Sequence, residues 1–152
     1  MRITISLFLI LVCMGASAQA QSTAADSVKL AIGRFFSAMR DANSNNLLNC
    51  FTDSAILETV AKDGKGETLV KRDKLADFAK IVSNLPKGAA DERITFDVVK
   101  VDGSLAIAWT PYRFYFNGQF SHCGVNSFQL VRVQNQWRIQ YVIDTRRKDG
   151  CE

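Results

Sequence analysis

Between Val28 and Met39 the apolar residues Val28, Ile32, Phe35, Phe36 and Met39 recur three or four positions apart. That spacing puts them on one face of a helix. Thr23 precedes Asp26 by three residues, the spacing of a capping box, and Ala42-Asn43 marks the expected helix end. Ser44 can cap a second, shorter turn that carries Leu47 and Leu48. The period then changes. Phe51-Thr52-Asp53-Ser54 leads into a short strand over 55–60, Lys62-Asp63-Gly64-Lys65-Gly66 turns the chain, and 67–70 returns. From Arg72 onward, Leu75, Phe78, Ala79, Val82 and Leu85 restore the helical period until Pro86-Lys87-Gly88 closes it.

The remainder reads as sheet. Residues 93–101 are β-branched and aromatic, Asp102-Gly103 and Asn117-Gly118 are hairpin signals, and Gln134-Asn135-Gln136 is the last turn. Helices followed by a long antiparallel sheet indicate an α+β domain. The turns assign the faces. With Asn117-Gly118 as the loop, Phe116 pairs with Gln119, Arg113 with His122 and Trp109 with Asn126. With Asn135-Gln136 as the next loop, Asn126 pairs with Thr145, Phe128 with Ile143 and Leu130 with Tyr141. One face then carries Trp109, Arg113, His122, Asn126 and Tyr141, and the opposite face Tyr112, Cys123, Asp144 and Arg146. Neither face is polar enough to stand in water, so helices are expected on one and a second subunit on the other. Pro111 within a strand signals an edge or a bulge, and a bulge exchanges the faces beyond it.

The start of the chain reads differently. Met1-Arg2, the apolar run 5–12 and the small residues Ala16-Ser17-Ala18 or Ala18-Gln19-Ala20 have the order of a secretory signal peptide over residues 1–20. The apolar run is shorter than the roughly 20 residues of a membrane-spanning helix, so no membrane association is expected after cleavage. Residues 21–152 form one domain. The formal charge of +4 is spread along the chain apart from Arg146-Arg147-Lys148, and with export this argues against a nucleic-acid partner. Cys50, Cys123 and Cys151 would remain after cleavage, the arithmetic of one disulfide and one buried thiol in a periplasmic or secreted protein.

The order helix, short helix, Phe51 to Glu58, turn, helix, then four strands resembles the nuclear transport factor 2-like superfamily. Phe128-Gln129-Leu130-Val131 followed by Trp137-Arg138-Ile139 adds to the likeness. Ser121-His122-Cys123-Gly124 and Asp144-Thr145-Arg146-Arg147 look like segments of exported bacterial members near the SnoaL-like cyclases and the lumazine-binding branch. The resemblance implies a cone-shaped, cystatin-like roll, with a curved antiparallel sheet whose concave face is covered by the N-terminal helices. It also implies a pocket at the wide end and dimerisation through the outer sheet face. Alignment with the steroid isomerases of that superfamily places Thr59 at their catalytic base, Asn126 at their oxyanion-binding acid and Phe36 at their tyrosine donor. Threonine is no general base near neutral pH, and phenylalanine has no proton to give. That reaction is not expected.

His122 and Cys123 are adjacent but point to opposite faces of a strand, so they form no nucleophilic dyad. One histidine and no Cys-x-x-Cys pair leave no metal site. Cys151, just past the last strand, can reach Cys123, with Cys50 as the buried thiol. The candidate ligand pocket is Phe36, Thr59, Trp109, Arg113, His122, Asn126 and Tyr141. Alternatively, Trp109 and Tyr141 fill the core while Arg113 and His122 pair at the rim. The expected function is cofactor-free binding of a small aromatic or anionic molecule by a homodimer. Two alternatives remain: an isomerase- or cyclase-type enzyme using His122, Asp144 or Glu58 as acid or base, and a structural dimeric module with a filled pocket.

Overall fold

The computed structural model describes residues 13–151. The segment read as a signal peptide lies mostly outside them. Helix α1 spans Cys13–Arg40, so the helix already runs through Thr23 and the capping box expected there is not its start. The alanine-rich stretch before Asp26 has high helix propensity and sustains the extra turns. Val28, Ile32, Phe35, Phe36 and Met39 form the buried stripe that their spacing predicts. Helix α2 is Ser44–Leu48, and its cap is Asn43 rather than Ser44: the Asn43 side chain accepts from the Asn46 amide at 3.0 Å. Helix α3 is Leu75–Ser83, with Ala79 and Val82 buried.

The strands are β1 (Phe51–Lys62), β2 (Thr68–Asp73), β3 (Ala90–Ile94), β4 (Val98–Asp102), β5 (Leu105–Phe116), β6 (Gln119–Val133) and β7 (Gln136–Thr145). They form one sheet in the order β2-β1-β7-β6-β5-β3, with β4 also on β5. The sheet is mixed, because β1 lies parallel to β7 while the other pairs are antiparallel. The strand expected over 93–101 begins earlier and is interrupted at 95–97, opposite Pro111. Proline has no N–H to give a neighbour, so an interruption there leaves no acceptor without its donor.

Two bulges reset the register. Across Asn117-Gly118, Phe116 pairs with Gln119 as expected, but Ser121 is an extra residue in β6, so His122 pairs with Phe114 and Asn126 with Thr110. The next loop is Gln134-Asn135, both at positive φ, rather than Asn135-Gln136. Leu130 therefore pairs with Ile139, and after the extra residue Gln140, Phe128 pairs with Val142 and Asn126 with Asp144. Each single-residue slip exchanges the faces.

The helices cover the face that carries Ala106, Ala108, Thr110, Tyr112, Phe128, Leu130, Ile139 and Val142, all buried. Phe35 and Phe36 meet Phe128 edge-on at 6.3 and 6.1 Å between ring centroids. Cys123 and Cys151 are joined, with Cα atoms 5.7 Å apart, the pairing read from the sequence. The loop-entropy model gives a bridge over this 28-residue separation a worth of about 3 to 4 kcal/mol. Cys50 is the free thiol; it is half-buried, donates to the Asn46 carbonyl at 3.2 Å, and burial pushes its pKa up.

Candidate functional site

Between α1, α3 and the covered sheet face lies a cavity of about 220 Å³. Phe35, Phe36, Met39, Phe78, Val82 and Leu85 make its apolar wall. The opposite end is polar and is assembled from five strands and the segment after β7: Thr59, Glu92, Tyr112, His122, Asn126, Asp144 and Arg146. Alternation along the sheet brings most of these together, because Thr59 and Asp144 are register partners, as are Asp144 and Asn126.

Two carboxylates stand in contrasting surroundings. Asp144 accepts from the Thr59 hydroxyl and from Arg146 Nε at 2.8 Å, and Tyr112 OH lies 3.2 Å from its Oδ2. The tyrosine proton has a nearer acceptor in the Thr145 carbonyl, 2.9 Å away. Burial works against the charge on Arg146, but the ion pair with Asp144 outweighs it and raises the guanidinium pKa. Glu92 has one neutral partner, the Asn126 side-chain amide, which donates to Oε1 at 2.8 Å. It keeps some contact with solvent where the pocket opens, yet protein atoms surround its carboxyl. Desolvation therefore pushes Glu92 up to about 7; the Asn126 bond and the Arg146 charge oppose this, and the Asp144 charge adds to it. The same burial, reinforced by the charges of Asp144 and Glu92, holds the Tyr112 proton on well above the usual phenol range.

His122 has Phe114 and Tyr112 beside its ring, at 5.0 and 5.7 Å between centroids, and Ser121 Oγ 3.1 Å from Nδ1. Burial lowers its pKa first and the Arg146 and Lys148 charges lower it further, against the pull of Asp144. The imidazole is neutral near pH 7.

Of the residues read from the sequence as a pocket, Phe36, Thr59, His122 and Asn126 line the cavity. Trp109, Arg113 and Tyr141 do not. The bulge at Ser121 turns Trp109 and Arg113 onto the outer face, where they pair with Ser127 and Cys123, and the bulge at Gln140 does the same to Tyr141, opposite Gln129. Trp109 is 46% exposed, and Arg113 stacks over Phe120 at 5.4 Å. Tyr141 donates to Glu58 at 2.8 Å, and Arg72 holds the same carboxylate from 2.7 Å. Those two bonds, the arginine's first, keep Glu58 below the usual carboxylate range; Glu58 borders the cavity between Leu57 and Thr59, with its carboxylate taken up by Arg72 and Tyr141. Asp144, expected on the far face, lies in the pocket. Glu92, Tyr112, Phe114 and Arg146 line the cavity as well, beyond the residues that the sequence pattern offers. Asp91, Glu92 and Arg93 are three charged residues in a row with no strand alternation, so no local signal marks the earlier strand start, and which face Glu92 takes depends on its pairing with β5.

Among the described residues no group of His, Cys, Asp and Glu side chains is arranged to hold a metal ion. A broader, more open depression of about 810 Å³ lies between α1, α2 and the β6–β7 turn, with Arg34, Arg132 and Arg138 on its wall and the Cys50 thiol beside them. One of its arginines, Arg138, is bonded to the Asn49 carbonyl.

No protein-family model matches the sequence, and no curated protein matches it. Solved structures do match in shape. A nuclear transport factor 2-like protein of unknown function from Shewanella baltica superposes with a TM-score of 0.64 at 11% identity, over 84% of this chain and 97% of that one. A domain of unknown function with a cystatin-like fold from Nostoc punctiforme gives 0.62 at 18% identity, over 86% and 80%. A proposed dehydratase of the nuclear transport factor 2-like family from Streptomyces avermitilis gives 0.62 at 17% identity, over 83% and 97%. At such identities the likeness is one of fold, and the fold of this chain is the nuclear transport factor 2-like, cystatin-like α+β fold, helices followed by a curved, unclosed mixed sheet.

Proposed function

We propose that this chain is a cofactor-independent acid–base enzyme that moves a proton on a small, uncharged, mostly apolar molecule bearing a carbonyl or hydroxyl group. The observation that carries the reading is Glu92, a carboxyl walled in at the end of an apolar pocket with its pKa at about 7. A group that titrates near neutrality can give and take a proton at comparable cost. The neighbouring Asp144 carries a counter-ion, and His122 stays neutral. With Asp144 matched by Arg146, little net charge faces the polar end of the cavity, which favours a neutral ligand over an anionic one. The cavity is smaller than the roughly 300 to 1,000 Å³ of drug-sized sites, so the substrate is small. Proton transfer beside a carbonyl, or loss of water from an alcohol, fits this arrangement.

A binding protein without turnover is the second reading, and it shares the same pocket. The two part at Glu92→Gln, tested with a panel of small cyclic ketones and alcohols. Binding retained with proton exchange or turnover lowered by roughly 10² to 10⁴-fold is expected. A panel that binds but is never turned over or deuterated by the native protein would leave only the binding reading.

Export and pairing belong to the same proposal. A disulfide suits an oxidising compartment, and Val98, Ile107 and Trp109 expose 39, 45 and 46% of their surface on the outer sheet face, an apolar patch that suits a second copy. Native mass spectrometry of the protein from its own host is expected to read a dimer of chains lacking the first 18 or 20 residues. A full-length monomer would overturn both.

A further inference from the structure

The polar end of the pocket depends on the segment that follows β7. Residues 146–150 are exposed. They are attached to β6 by the paired Cys123 and Arg147 backbone bonds, both 2.9 Å, and by the bridge from the 2%-exposed Cys123 to half-buried Cys151. Within the segment the Arg147 guanidinium reaches only as far as the Gly150 carbonyl. Yet this segment delivers Arg146, whose Nε holds Asp144 at 2.8 Å and whose Nη2 lies 3.3 Å from Thr59 Oγ1. Lys148 lies on it as well.

We propose that the Cys123–Cys151 disulfide is a positioning element of the pocket, holding the C-terminal segment against β6 so that Arg146 stays on Asp144 and Thr59, and that reduction by a dithiol releases Arg146 from the site. This rests on the acid–base reading of the pocket. The exchange is ordinary thiol chemistry. A reductant thiolate attacks the accessible Cys151 sulfur, the S–S bond breaks, and Cys123 leaves as a thiolate that takes up a proton. The second thiol of the reductant then attacks the mixed disulfide, frees Cys151 as a thiol and closes the oxidised, cyclic reductant. Two electrons and two protons pass to the protein.

His122 reports the change directly, since it is the only histidine in the chain. The groups around it are Asp144, Tyr112, Arg146 and Lys148, and the two cations, which hold its pKa down, both lie on the tethered segment. Arg146 also opposes the rise of Glu92.

The experiment follows the His122 ring protons and the Glu92 carboxyl carbon by NMR across pH 4 to 9. It compares oxidised protein, protein reduced with dithiothreitol, Cys151→Ser and Arg146→Gln. Reduction and Cys151→Ser are both expected to move the His122 and Glu92 titrations upward, in the direction of Arg146→Gln. For His122 the shift should be at least as large as in Arg146→Gln, because Lys148 is released with Arg146. Titrations unchanged on reduction would overturn the proposal, since the segment would then hold without its bridge. Unchanged titrations in Arg146→Gln would overturn it too. If reduced protein and Cys151→Ser both unfold, the bridge serves the fold and the positioning role falls. Loss of the acid–base reading is separately visible, as Glu92→Gln protein with native turnover.

Discussion

Glu92→Gln is expected to leave stability nearly unchanged at about pH 4 and to raise it by up to roughly 3 kcal/mol above pH 7.5, as the shift from 4.5 to about 7 implies. The sign follows from proton uptake. The native carboxyl holds its proton up to about 7, whereas the unfolded one loses it near 4.5. Between those values the folded state binds more protons, so native stability falls as pH rises through the window and stays low beyond it. Glutamine is neutral throughout and escapes the fall, while its side-chain oxygen can still accept from Asn126. His122 acts in the opposite sense, because its lowered pKa gives stability above its ordinary 6.5 that is lost as pH falls through the folded value. That contribution is common to both proteins and cancels in the difference. Urea unfolding of the two at pH 4, 6 and 8 measures it. Parallel curves would mean that Glu92 titrates like a surface carboxylate, and the pocket would lose its acid.

Gly124→Ala is expected to cost more than about 3 kcal/mol, a severe case of overpacking. Gly124 is in the β6 ladder opposite Tyr112, and its need for glycine is a matter of space. A Cβ there would lie 1.7 Å from the Thr145 carbonyl oxygen and 2.8 Å from Tyr112 Cε1. The obstructing oxygen belongs to the backbone and cannot rotate aside, so the end of β7 must move, taking with it the acceptor of the Tyr112 hydroxyl and the base of Arg146. Thermal and urea unfolding should show the loss, with Gly64→Ala as a near-neutral control, because nothing lies within 4 Å of a Cβ at that turn. Native stability in Gly124→Ala would show that the segment lifts from β6 at little cost, and would weaken the account of how Arg146 is placed.

Local signals in the sequence were enough for much of this architecture. The stripe Val28, Ile32, Phe35, Phe36 and Met39 lies in the core because a 3.6-residue period needs no knowledge of the partner surface. Asn117-Gly118 turns where expected because a two-residue hairpin loop at positive φ depends only on those two residues. The Cys123–Cys151 pairing followed from one strand end lying beside its neighbour.

The site was different. Counting residues from the turns puts Trp109, Arg113 and Tyr141 in the pocket and Tyr112, Asp144 and Arg146 on the far face. Such counting fails at the first extra residue. Ser121 and Gln140 are polar residues in otherwise regular strands, and nothing local marks either as a bulge. Pro111, the residue that did carry a local warning, lies in regular register with Val125. By itself the sequence determined the α+β order, the helix faces and the hairpin at Asn117-Gly118, all set by residues near in the chain, and it put Cys151 within reach of Cys123. The tertiary structure alone decided which sheet face the helices cover, and so brought Glu92, Tyr112, Asp144 and Arg146 together. A one-residue slip in pairing carries each following side chain to the opposite face, and only the packed sheet shows where the slips occur.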